Sequence, residues 1–97
     1  MADNTLYRDI KVALADLREG REDMDFYRPG VKLIAGYRND GKEELPAIEL
    51  YRENEKTPFK TWYIVTDEYN QLSDVLERVA SQVETAIEKL RRPQSKN

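Results

Sequence analysis

Cysteine and histidine are both absent from this 97-residue chain. Without cysteine there is no disulfide and no thiolate metal ligand. Without histidine the commonest metal ligand is missing, and so is the one side chain that titrates unperturbed near neutrality. Zinc sites of the usual kind and Ser–His or Cys–His nucleophilic pairs are therefore excluded. A site built only of carboxylates could still hold a hard cation, but no acidic, glycine-centred loop of the calcium-binding type is present. No metal or cofactor is expected. The composition suits a reducing compartment, and a cytoplasmic location is expected.

Long apolar runs are missing too. No stretch of 18 apolar residues occurs, so no transmembrane helix is expected. Residues 1–20 lack a basic start and an apolar centre, so no secretory signal is expected. There is no internal repeat and no low-complexity segment. A chain of this length buries only about 60–65% of its unfolded surface, enough for one small core. One domain over residues 1–92 is expected, with 93–97 as a disordered polar tail.

What the chain has in abundance is charge. Charged residues make up 36% of it, and the formal net charge is −3. Nucleic-acid-binding domains are usually basic, so the sum points away from that class. The distribution is uneven, however. Residues 1–25 hold seven acids against four bases, whereas residues 26–66 hold seven bases against six acids. Carboxylate neighbours such as Glu43-Glu44 and Asp67-Glu68 have no acid/base partner grouped with them, and no enzymatic activity is expected.

The strongest periodic signal lies in the last third. Phe59 to Val65 reads as a strand running directly into a long helix that starts at Thr66 or Asp67. Tyr69, Leu72, Leu76, Val79, Val83, Ala86 and Leu90 then follow at alternating spacings of three and four, a single apolar stripe. Asp67 and Glu68 suit the positive end of the helix dipole; Lys89, Arg91 and Arg92 suit the negative end, and Pro93 stops the helix. Val75 and Ile87 widen the stripe. Its first use is to pack on the chain's own sheet. A second copy of the helix is the alternative or additional partner, through Leu72, Leu76, Val79, Val83, Ile87 and Leu90.

Earlier in the chain, Leu6, Ile10, Leu14 and Leu17 fall at helical spacing over residues 5–19. Asn4 or Thr5 can cap the start and Gly20 can close the end. Ile10, Val12 and Leu14 also alternate like a strand, but the alanines favour helix. Residues 20–25 read as a charged loop, and Phe26-Tyr27-Arg28 as a short strand stopped by Pro29-Gly30. Val31 to Arg38 is a strand with Val31, Leu33, Ala35 and Tyr37 on one face. Asn39 to Lys42 is a hairpin turn. Glu43 and Glu44 read as a solvated linker, and Ala47 to Arg52 as a strand with Ile48 and Leu50 facing in. The expected fold is α+β: a three- to four-stranded antiparallel meander, an N-terminal helix, and a long C-terminal helix packed on one face.

Tyr-Arg occurs four times, at Tyr7-Arg8, Tyr27-Arg28, Tyr37-Arg38 and Tyr51-Arg52. Three of the pairs lie in the strand region, near Trp62 and Tyr63. Aromatic rings offer stacking platforms for unpaired bases and arginines bind phosphates, the combination a single-strand binder needs. Neighbouring residues of a strand point to opposite faces, so no one face collects both members of every pair. Half-buried strand tyrosines with solvated arginines are the plainer interpretation. Arg52, Lys56 and Lys60 form a second basic strip around the loop before the last strand, either edge lysines that discourage aggregation or phosphate contacts.

Three stretches carry a family resemblance: Tyr37-Arg38-Asn39-Asp40, Pro46 to Arg52, and Phe59 to Val65 entering Thr66 to Leu72. Over about half its length the chain resembles the positive cofactor four family, single-stranded-DNA-binding transcription coactivators and their small bacterial and phage relatives. The resemblance implies a curved antiparallel sheet with a C-terminal helix, a homodimer formed partly through that helix, and single strands bound along the sheet. The family's Lys-Gly-Ile-Ser/Thr-Leu stretch has no glycine here, where Thr61, Trp62 and Tyr63 stand, and relatives begin with a strand where this chain reads as helix. The expected interface is Arg38, Tyr51, Arg52, Lys56, Lys60, Trp62 and Tyr63. The alternative function is an acidic protein–protein inhibitor or adaptor, of the sort phages and mobile elements encode, acting on a basic partner surface.

Overall fold

The computed structural model describes residues 4–66 and 71–91. The order is α1 (Asn4–Arg18), β1 (Met24–Arg28), β2 (Val31–Asn39), β3 (Glu44–Arg52), β4 (Lys60–Tyr63) and α2 (Leu72–Arg91). The four strands form one antiparallel sheet in sequence order, the expected meander. Both helices pack against one another and against the same sheet face.

α1 forms because Leu6, Ile10, Ala13, Leu14 and Leu17 align on one side, and all five are buried. The helical reading of this segment therefore holds over the strand alternative. Gly20 ends it with φ +92°, a conformation costly for a residue with a Cβ. The Gly20 amide donates to the Leu17 carbonyl at 3.0 Å and the Arg21 amide to Asp16 at 3.1 Å, the two bonds of a Schellman cap.

The strands extend beyond their sequence-read limits at three points, the first being the end of β2 at Asn39. β1 starts at Met24, inside the expected charged loop, because Met24 pairs with Ala35 and packs partly against the core. β3 starts at Glu44 rather than Ala47, because the tight turn brings Glu44 opposite Asn39. β4 is shorter than expected, although the amides of Phe59 and Ile64 still donate to Leu50 and Pro46 at 2.7 and 2.8 Å.

α2 differs more. It starts at Leu72, and Thr66 is not helical, so strand and helix are not continuous. The first helical bond in the new register is from the Val75 amide to the Gln71 carbonyl, 3.1 Å, and Asp74 is the acid in the first turn. Asp67, Glu68 and Tyr69 lie outside the described residues, as do Arg92, Pro93 and the expected tail.

The apolar stripe of α2 is used up within the chain. Leu76, Val79, Val83 and Ile87 are buried in the common core together with Val75 and Ala86, and Leu72 and Leu90 pack partly against it. Among the described residues, α1 joins the sheet in covering the residues expected at the dimer seam. Leu33, Ile48 and Leu50 form the sheet side of this core, each fully buried, and each contributes about 1.5–3 kcal/mol relative to exposure.

Candidate nucleic-acid interface

The sheet face away from the helices has no layer over it among the described residues. Cross-strand register puts Asp25, Ile34, Glu49 and Thr61 in one row there, and Tyr27, Lys32 and Tyr51 in the next. At its centre is a polar cluster. Arg38 Nη2 lies 3.0 Å from Glu49 Oε1 and 2.9 Å from Asp23 Oδ2, and Nη1 adds a 3.3 Å bond to Asp23 Oδ1. The Tyr51 hydroxyl donates to the same Glu49 oxygen at 3.1 Å. Glu49 is only 8% exposed, the one buried charged residue among those described. Such a carboxylate is tolerable only when paired and hydrogen-bonded.

Gly36 and Ala47 face one another beneath this cluster. A Cβ on Gly36 would sit 2.6 Å from Arg38 Nη1 and closer still to Asp23 Oδ1. Small residues here let the guanidinium fold back along the sheet to Glu49. The Asp23 hydrogen bond is the main influence holding Arg38 even more firmly protonated than usual, with Glu49 adding to it. The Tyr51 phenol is pushed above its ordinary range, first by burial and then by its bond to Glu49.

At one end of the sheet, the β1–β2 turn and the β3–β4 loop enclose an open groove of about 710 Å³. Pro29 and Gly30 make the turn, Gly30 with φ +80°. The Glu53 amide donates to the Gly30 carbonyl at 3.2 Å, joining loop to turn. Arg91, at the end of α2, donates from Nε to the Pro29 carbonyl at 3.0 Å, so the last helix fixes one wall. Four cations line the groove, Arg28, Lys32, Arg52 and Lys56, against two carboxylates, Glu53 and Glu55. Arg28 is already committed to Asp9 at 2.7 Å. Arg52 reaches Glu55 only at 3.9 Å, with both side chains about half exposed, a weak pairing. Tyr27 at the rim is 63% exposed. Lys32 Nζ sits 5.3 Å from the Tyr51 ring centroid, and the Arg52 guanidinium 5.0 Å from that of Phe59.

The seven residues expected to form one interface do not converge. Arg52 and Lys56 line the groove, and Tyr51 lies beside it. Arg38 is on the open face but locked by two carboxylates. Tyr63 is also on that face, toward the opposite end, its hydroxyl donating to the Asn39 carbonyl at 3.3 Å. Trp62 is a correction: at 6% exposure it belongs to the core and cannot stack on a base. Lys60 lies over it, Nζ 5.5 Å from the ring centroid, on the helix side of the sheet. The physical reason is register. Trp62 pairs with Ile48 and Lys60 with Leu50, so both share the inward parity of those residues.

Two members were missed. Lys32 was legible from parity, since it alternates with Val31 and Leu33 and so faces outward with Tyr51. Tyr27 was visible as a Tyr-Arg pair, but nothing in the sequence placed its strand at the sheet edge beside the β3–β4 loop. Among the described residues, no cluster of three or more acids could hold a metal ion, and no helix is long and apolar enough to cross a membrane. Compared with protein-family models, curated proteins and solved structures, the chain matches none.

Proposed function

We propose that this chain binds single-stranded nucleic acid, with phosphates in the groove at Lys32, Arg52 and Lys56 and a base stacked on Tyr27. The observation that carries it is the local excess of cations beside the most exposed aromatic ring among the described residues, in a chain whose net charge is −3. Phosphate contact supplies sequence-independent affinity, and each stacked base adds about 1–3 kcal/mol. The open sheet face continues the path beyond the groove through Tyr51. The proposed setting is the cytoplasm, where a chain without cysteine loses nothing. A homodimer is compatible with this reading.

The test is titration of a fluorescent oligo(dT) at low and moderate salt. Tight binding at low salt is expected, with the logarithm of affinity falling at a slope of about 0.7 per phosphate engaged. No binding at low salt overturns the proposal. Light scattering decides the assembly, where a mass near 11.4 kDa means monomer. The second reading, an acidic adaptor or inhibitor of a basic protein surface, is favoured by one specific feature on the other side of the sheet.

A further inference from the structure

A second groove, of about 400 Å³, runs between α1 and β1. Its floor is apolar: Val12, Ala13, Met24 and Phe26. Val12 is 54% exposed, although Leu6, Ile10, Leu14 and Leu17 of the same helix are buried. Its rim holds three carboxylates, Asp9, Asp16 and Asp25, against one guanidinium, Arg8. Asp9 serves Arg28, whereas Asp16 and Asp25 form no ion pair among the described residues.

The groove lies along an open sheet edge. β1 pairs with β2 on one side, and among the described residues nothing pairs with its other side. An unpaired strand edge presents backbone donors and acceptors to any extended chain. Five residues offer roughly 17 Å of edge, enough for a peptide of five to seven residues. An added strand would turn alternate side chains toward Val12, Met24 and Phe26, and the others toward the open face beside Asp25.

We infer that the β1 edge and its groove dock an extended peptide of alternating apolar and basic residues by strand addition. Charge selects this occupant. Apolar side chains cover the exposed floor, lysine or arginine on the open face meets Asp25, and Asp16 adds to the negative charge of the rim. A second copy of the chain fits less well, since pairing β1 with β1 brings two acidic rims together. The site adjoins the cationic groove at Tyr27 and Arg28 of β1 but does not depend on nucleic-acid binding.

The probe is a fluorescein-labelled heptapeptide of alternating lysine and valine, followed by anisotropy and by amide hydrogen exchange of the protein. Saturable binding is expected, with exchange slowed at residues 24–28. Asp16→Lys together with Asp25→Lys should weaken it at least about tenfold, the loss of roughly 1.4 kcal/mol. Val12→Ser is a milder variant on an exposed position and should weaken it while leaving the fold intact. N-methylation of the peptide amides that face β1 should abolish it, which a merely electrostatic association would survive. Lys56→Ala should leave it unchanged. The inference is overturned if the lysine peptide binds no better than a glutamate–valine one, or if protection appears only elsewhere. It is equally overturned if the chain alone is a dimer with residues 24–28 already protected, because a second copy then holds the edge.

Discussion

Arg38 and Glu49, from neighbouring strands, meet at 3.0 Å on a sheet face that neither described helix covers. Tyr51 and Asp23 complete the contact around a carboxylate that is only 8% exposed. Glu49→Ala should cost about 2–3 kcal/mol in urea unfolding, below the full value for a buried pair because Arg38 is partly solvated. Arg38→Met with Glu49→Leu should recover most of that loss, since neither charge is then stranded. Equal destabilisation by the single and the double variant would mean that a stranded Arg38 charge is not the source of the loss.

Gly36 is required for space rather than for backbone freedom. Gly36→Ala pushes a methyl group into Asp23 and Arg38 and should lower stability by about 1–3 kcal/mol. In an Asp23→Ala background the penalty should shrink, because the nearest obstructing atoms are gone. Thermal melts of the four proteins check this, and additive effects would count against the clash.

The pH dependence has two limbs with opposite signs. Asp40 accepts bonds from the Glu43 and Lys42 amides in the β2–β3 turn, which hold its carboxyl below the ordinary range. A lowered folded value means stability present above the unfolded value near 3.9 and lost as pH falls through the folded one. Tyr51 is shifted upward. Its contribution is full below the unfolded value near 10 and is lost as pH rises through the folded one. Asp40→Asn should flatten the acid limb and Tyr51→Phe the alkaline limb of a stability–pH curve.

Trp62 is the only tryptophan, so its fluorescence reports one place. A ring 6% exposed in the core should emit toward the blue and resist iodide quenching, and oligo(dT) should leave both unchanged. Trp62→Ala should cost about 3–5 kcal/mol. Quenching by added oligonucleotide would return this ring to the binding surface.

The difference between Trp62 and Lys32 explains how much could be read beforehand. The helix stripe, the turns at Pro29-Gly30 and Asn39 to Lys42, and the alternation of Val31, Leu33 and Ala35 are local patterns, and the α+β meander follows from them. The alternation in β3 likewise separates Tyr51 from Arg52. What local pattern does not contain is which strand end meets which loop. Register carries Trp62 inward opposite Ile48, and the hairpins bring Tyr27 and Lys32 beside Arg52 and Lys56 across 20 to 29 residues of sequence. The start of α2 escaped for another reason. Thr66 to Gln71 carry good capping and acidic residues, so the apolar period alone did not reveal where the helix begins.

The groove makes a residue-by-residue claim about salt. Lys32, Arg52 and Lys56 converge at one end of the sheet, while Lys60 lies on the helix side over Trp62. If single strands enter the groove, Lys32→Ala, Arg52→Ala and Lys56→Ala should each reduce the salt slope for oligo(dT) by about 0.7, the value for one phosphate released. Lys60→Ala should leave the slope unchanged, although the sequence gives it the same basic character. Tyr27→Ala should behave differently again: affinity falls by about 1–3 kcal/mol with the slope intact, because stacking neutralises no phosphate. A slope that responds equally to Lys60 and Lys56 would move the binding path away from the groove and onto the general cationic surface.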